Sequence, residues 1–202
     1  MKFGIIAGSH QKASQSAKVA NKLASLIEQR EHQVWIMDLG KEPLPMWDED
    51  IGSGEGKWAF VSEMNQQLAD CDGFIFISPE WHGMATAALK NFFLVATAGQ
   101  GLAHKPALLC SVSVVDGGAY VIAELRASSY KNNRICYLPE QLVYRNVGEI
   151  FNEDPSKNNP ETHSYFIERS EYCVDLLIEY GRAFTQIRSS NVIDHKKYGN
   201  GM

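Results

Sequence analysis

The segment spanning residues 73–94, GFIFISPEWHGMATAALKNFFL, holds the strongest constraint in this chain. An apolar run, Phe74-Ile75-Phe76-Ile77, stops at the polar Ser78-Pro79-Glu80-Trp81-His82-Gly83, and a helical pattern begins directly after it. A strand with no polar position must be covered on both faces, which is the situation of a central strand in a parallel sheet flanked by helices. Ligands of such sheets sit outside the carboxyl ends of the strands. The loop from Ser78 to Gly83 lies at such an end and carries a carboxylate, an aromatic ring and an imidazole in consecutive positions. It reads as one wall of a site.

The rest of the chain repeats the alternation. Strand character recurs at Phe3 to Ala7, Val34 to Met37, Ala107 to Val115 and, more weakly, within Ile135 to Val143. Between these lie helical spacings: Val19, Leu23, Leu26 and Ile27; Phe60, Met64 and Leu68; Leu89, Phe92, Phe93 and Ala96; Val121, Leu125 and Ser129. Phe166, Cys173, Leu176, Leu177, Tyr180 and Phe184 mark a last helix. Each parallel pairing needs a crossover, so the pattern predicts an α/β doubly wound sheet of five parallel strands, taken here in the common doubly wound order 2-1-3-4-5. The polar stretches Gly40 to Lys57 and Asn152 to Glu161 read as loops within one domain, because segments of the same sheet continue beyond both. That domain is expected over residues 1–189, with 190–202 as a flexible tail that has no part in the chemistry.

Composition narrows the classes. A chain of 202 residues, 45% hydrophobic and 21% charged, suits one well-buried globular domain. The net charge of −5 is mild and unblocked, which argues against a nucleic-acid partner. No apolar run approaches the roughly 20 residues of a membrane span, and the start resembles no secretory signal, so a cytoplasmic location is expected. Cys71, Cys110, Cys136 and Cys173 form no C-x-x-C pair and read as buried reduced thiols. The scattered histidines, with no H-E-x-x-H, give no metal site, and the absence of G-x-S-x-G removes the usual serine hydrolase of an α/β sheet.

Three loops carry the candidate chemistry. The first strand runs into Gly8-Ser9-His10-Gln11-Lys12-Ala13-Ser14-Gln15-Ser16, whose hydroxyls and amides surround a helix N-terminus, a place suited to an anion. The loop matches neither G-x-x-x-x-G-K-[ST] nor G-x-G-x-x-G, and Ser14 or Ser16 could equally serve only as the helix cap. The second wall is Pro79, Glu80, Trp81, His82 and Gly83, where Trp81 could cover a planar ring. The third follows the fourth strand: Ser113, Asp116, Gly117 and Gly118, the glycines allowing close backbone approach to a ligand. Following strands one, three and four, all three loops fall at one edge of the sheet, around its switch point.

Taken together these residues resemble the NAD(P)H-dependent FMN reductase family, a flavodoxin-like group with quinone, chromate and azo-dye reductases among its members. Gly8, Ser9 and Ser14 match its G-S-x-R-x-x-S phosphate loop, with Gln11 where arginine is usual. Pro79, Glu80, His82, Leu89, Lys90 and Asn91 match its second signature, Trp81 replaces its tyrosine, and Met84 and Thr86 depart from it. Asp116-Gly117-Gly118 stands for its glycine-rich third loop. The resemblance covers residues 3 to 145 or so and implies a three-layer flavodoxin-like sandwich binding FMN. Its phosphate would lie on Ser9, Gln11, Ser14, Gln15 and Ser16, and its ring between Pro79–Gly83 and Ser113–Tyr120. It further implies NADPH or NADH as co-substrate, a small electron acceptor, ping-pong turnover and a homodimer or homotetramer paired through the helix bearing Lys90, Asn91, Phe92 and Phe93. Since the flavin supplies the chemistry, no catalytic side chain is named. Two alternatives stand beside it: an FMN electron carrier that does not use NAD(P)H, and a flavin-free binding protein that kept the fold.

Overall fold

The computed structural model describes residues 1–96 and 101–201. Five strands, β1 (Lys2–Ala7), β2 (Gln33–Asp38), β3 (Gly73–Pro79), β4 (Pro106–Val112) and β5 (Cys136–Tyr144), pair in parallel in the order β2-β1-β3-β4-β5. The helices are α1 (Gln15–Glu28), α2 (Val61–Asp70), α3 (Ala87–Ala96), α4 (Ala119–Ala127) and α5 (Pro160–Arg188). The expected order is therefore the observed one.

The layers follow from the two-residue period of the strands. Phe3, Ile5, Ile75, Ile77, Leu108 and Cys110 face a core shared with Val19, Leu23 and Ile27 of α1 and with Cys173, Val174 and Leu177 of α5. The alternating residues Ile6, Phe74, Phe76, Ala107 and Leu109 face Leu68 of α2, Leu89 and Phe92 of α3, and Leu125 of α4. Every residue of β3 and β4 is buried, which explains why those strands read as unbroken apolar runs.

Four expectations are revised. β4 ends at Val112, not Val115: Ser113 N donates to Tyr144 O and the chain turns out of the sheet, leaving Val114 and Val115 71% and 63% exposed. Helix α4 stops at Ala127, and Ser129 lies beyond it with φ +64°, its hydroxyl folded back onto the Leu125 carbonyl. Phe92 and Phe93, read as surplus apolar surface for a subunit contact, are buried in the chain's own core, packed on Phe76 and on each other. The segment after Ser189, read as a flexible tail, makes contacts instead. Arg134 donates to Gly199 O at 3.0 Å, Gly201 N donates to Asn132 Oδ1, and the His104 and His195 Nε2 atoms lie 3.1 Å apart. No helix among the described residues is long and apolar enough to cross a membrane.

Candidate active site

At the carboxyl edge of the sheet, the loops after β1, β3 and β4 close around one cavity of about 230 Å³. Its lining takes Ser9, Gln11, Gln15 and Ser16 from the first loop and helix start, Pro79, Glu80 and Trp81 from the second, and Ser113 with Val112 and Val114 from the third. Ser14, His82, Gly83, Asp116, Gly117 and Gly118 are not in that lining, though each belongs to one of the same loops.

The first wall is built by serines with different duties. Ser9 Oγ accepts from Gln11 N at 3.1 Å, tightening the loop, and Ser14 Oγ accepts from Ala17 N at 3.0 Å as the cap of α1. Both readings of the loop thus divide between residues: Ser14 is the cap, and Ser16 is not. Ser16 is 1% exposed and lines the cavity, and its Oγ has no hydrogen-bond partner among the described residues. A buried hydroxyl without a partner costs about 1–3 kcal/mol unless something else satisfies it.

The second wall is a two-residue hairpin turn. Trp81 and Met84 exchange N–H···O bonds at 3.2 and 3.0 Å, and the intervening His82 and Gly83 take φ of +52° and +74°, the left-handed pair that such a turn demands. The turn carries His82 and Gly83 out into solvent and leaves Trp81 facing inward, its ring stacked on His10 with centroids 5.4 Å apart. Below the turn, Thr86 holds the ends of β1 and β3 to α3. Its hydroxyl donates to Gly8 O and accepts from Leu89 N, while its amide donates to Ser78 Oγ. Glu124 accepts from Ala85 N at 2.7 Å and pairs with Lys90. Burial works to raise the Glu124 pKa, but the Lys90 and Ala85 hydrogen bonds prevail and hold it below the ordinary glutamate value.

Glu80 and the paired glycines also hold the walls to one another. Glu80 Oε2 accepts from Tyr120 N at 3.1 Å and from Val121 N at 3.5 Å, so its carboxylate caps α4, whose own cap position, Gly118, offers no side chain. The paired glycines serve this same packing. A Cβ on Gly117 would come within 2.8 Å of Glu80 Oε1, and one on Gly118, which has φ +107°, within 2.8 Å of Ser111 Oγ and Val143 Cγ1. Their smallness admits protein neighbours, and only through them shapes the cavity. Sequence reasoning missed Thr86, Glu124 and the His10–Trp81 stack, all of them pairings across long sequence separations that no local pattern carries. Asn91, part of the second signature, is buried and ties the loop after β2 to α3: its side chain accepts from Trp47 N and donates to Pro45 O, each at 2.8 Å.

A parallel 2-1-3-4-5 sheet with a hydroxyl-lined cleft at its carboxyl edge and a helix N-terminus on one wall defines a flavodoxin-like mononucleotide-binding fold. Comparison with known proteins makes the class specific. The family model for NADPH-dependent FMN reductase matches residues 1–149, and the chain belongs to that family of oxidoreductases, which work with FMN and a reduced nicotinamide nucleotide. It is 27% identical over 183 residues to an FMN-dependent NADH:quinone oxidoreductase of Shewanella sp. (strain W3-18-1), covering 81% of this chain and 91% of that one. It is 28% identical over 168 residues to a 2-hydroxy-1,4-benzoquinone reductase of Burkholderia sp, covering 78% and 89%. The fold is shared with the flavoenzyme NAD(P)H:(acceptor) oxidoreductase of Paracoccus denitrificans at a TM-score of 0.72 and 19% identity, over 91% of this chain and 98% of that one.

Proposed function

We propose that this chain holds FMN in the three-walled cleft and passes electrons from NADPH or NADH to a small oxidised acceptor, of quinone type, in a ping-pong cycle. The observation that carries the reading is Ser16. It lines the cavity with a buried, unpartnered hydroxyl at the start of α1, where Ser14 takes the Ala17 amide but the Gln15 and Ser16 amides have no acceptor among the described residues and the helix dipole favours negative charge. A phosphate monoester satisfies all of these donors at once, so the residues present suit the phosphate end of FMN. The cavity is smaller than the roughly 300–1,000 Å³ of a complete small-molecule site, which suits a ligand whose narrow end is buried and whose ring lies in the open mouth.

When bound, FMN supplies a ring that accepts hydride from the nicotinamide and later gives two electrons to the acceptor. The chain's own part is orientation. Ser9 and Ser16 hold the phosphate end with Gln11 and Gln15 at its flank, Trp81 and His10 cover the mouth from one side, and the loop from Ser113 to Gly118 bounds the other. Glu80 keeps the second and third walls in register through the N-terminus of α4. The quinone reductases among the relatives support the acceptor class. Free cysteines, three of them buried, suit a reducing cytoplasm. The exposed Met84, Val114, Val115 and Tyr120 around the mouth support assembly into a homodimer or homotetramer across the cleft rather than through Phe92 and Phe93.

Anaerobic half-reactions test the cycle. NADPH or NADH alone should bleach the flavin of the purified protein, and a later addition of 1,4-benzoquinone should restore it, giving parallel lines in double-reciprocal steady-state plots. Bleaching by dithionite but by neither nucleotide would favour the electron-carrier alternative.

A further inference from the structure

A nicotinamide dinucleotide brings several negative charges to a protein whose net charge is already −5, and the cleft lining contains one carboxylate and no lysine or arginine. Something at the rim has to meet those phosphates. Among the seven arginines one stands apart. Arg30, Arg169, Arg182 and Arg188 each donate to a carboxylate, and Arg126 and Arg134 to backbone carbonyls, in every case from at least one Nη. Arg145 does not. It is exposed, directly follows β5, and donates only from Nε, to Gly117 O at 3.1 Å, with no ion pair among the described residues.

The position is fixed by the same short segment that closes the third wall. Ser113 N donates to Tyr144 O at 2.8 Å, Val147 N to Ser113 O at 3.1 Å, and Asn146, in the left-handed region at φ +49°, turns the chain between them. Gly117 in turn packs against Ser113 and Glu80, both in the cleft lining. The guanidinium is thereby pinned to the third loop through one nitrogen, with both Nη groups free, the arrangement that grips a phosphate in bidentate fashion. Lys12 and Lys41 line an adjoining open hollow of about 660 Å³, which shares Gln15 with the cleft and also takes in Asn152 and Asp154; Lys41 lies 3.8 Å from Asp38, and the His10 ring is stacked on Trp81.

We infer that Arg145 is the binding residue for the phosphates of the nicotinamide nucleotide, which enters over the third wall; this rests on the cleft being the flavin site. Two phosphate groups could be its partner, the diphosphate common to NADH and NADPH or the 2′-phosphate of NADPH alone. The test uses the flavin-loaded wild type, Arg145→Gln and Arg145→Lys, measuring flavin content, KM and kcat for both nucleotides at low and high salt, and calorimetric binding of NADP+ and NAD+. The expected result is unchanged flavin content and kcat in Arg145→Gln with KM and dissociation constant raised at least about tenfold. Arg145→Lys should fall between, and salt should shrink the difference. A rise for both nucleotides assigns the diphosphate, and a rise for NADPH and NADP+ alone assigns the 2′-phosphate. Unchanged KM and binding with flavin retained would overturn the inference, as would loss of flavin in both variants, which would make Arg145 a pin for the loop and nothing more. A wild type that binds no FMN would instead remove the reading beneath it.

Discussion

Replacing Glu80 separates a carboxylate that caps a helix from one that touches a ligand. In the structure its Oε2 meets Tyr120 N at 3.1 Å and Val121 N at 3.5 Å, the side chain is half-buried, and α4 has Gly118 at its cap with no side-chain acceptor of its own. Loss of a capping acceptor costs about 0.5–2 kcal/mol, and the favourable charge at a helix N-terminus accounts for about 0.3–1 kcal/mol of such effects. The 3.5 Å contact adds little, so Glu80→Ala should destabilise the flavin-free protein by about 1–2 kcal/mol. For a chain of this size each kcal/mol lowers Tm by about 2–4 °C, which gives a drop of about 2–8 °C. Glu80→Gln keeps an acceptor oxygen and loses the charge, and should drop by about 1–4 °C. Calorimetric melting of apo protein reads both. Unchanged apo melting in Glu80→Ala, with FMN binding lost, would refute the capping role and return Glu80 to direct ligand contact.

Four further outcomes follow from the geometry. Thr86→Val removes the hydroxyl shared by Gly8 O and Leu89 N, and should cost about 1–2 kcal/mol in chemical denaturation while loosening the first wall. Gly40→Ala drives a Cβ into the Gln11 carbonyl, so it should displace the first loop and weaken FMN binding even where the protein still folds, read by flavin titration. Gln11→Arg restores a charged bidentate donor to the loop and should tighten FMN binding by about tenfold; unchanged affinity would remove Gln11 from the phosphate site. Lys105 is buried with its ammonium donating to Leu68 O and Ala69 O, and burial pulls its pKa from 10.5 to about 8. Between those values the unfolded chain binds more protons, so this lysine makes the fold more stable as pH rises from about 8 to about 10.5, by up to about 3 kcal/mol. Lys105→Met should flatten that part of the stability–pH curve, measured by urea melts across the range.

The parallel sheet was legible because β3 and β4 are buried at every position, and only a doubly covered strand produces such runs. The same signal misled at Val114 and Val115, since hydrophobicity does not distinguish a buried valine from one carried into solvent by a turn. The convergence of three loops was legible from topology, and the residues lining the cavity come from all three of them. What local pattern does not contain is where a side chain finds its partner. Glu80 reaches helix α4 forty positions on, Thr86 reaches Gly8, and Phe92 and Phe93 close on Phe76, contacts across the chain that hold the walls and core together and that no local pattern announces. Ser14 and Ser16 show the finer limit: both suited a cap or a phosphate, and only the observed bond of Ser14 Oγ to Ala17 N separates them.

The most direct test of the central claim is titration of the apo protein with FMN and, separately, with riboflavin, followed by quenching of flavin fluorescence. With the phosphate end seated on Ser9, Ser16 and the α1 N-terminus, FMN should bind saturably at one per chain, riboflavin should bind at least about a hundredfold more weakly, and Ser16→Ala should narrow that gap. Equal affinity for the two flavins, or no saturable binding of either, would contradict it.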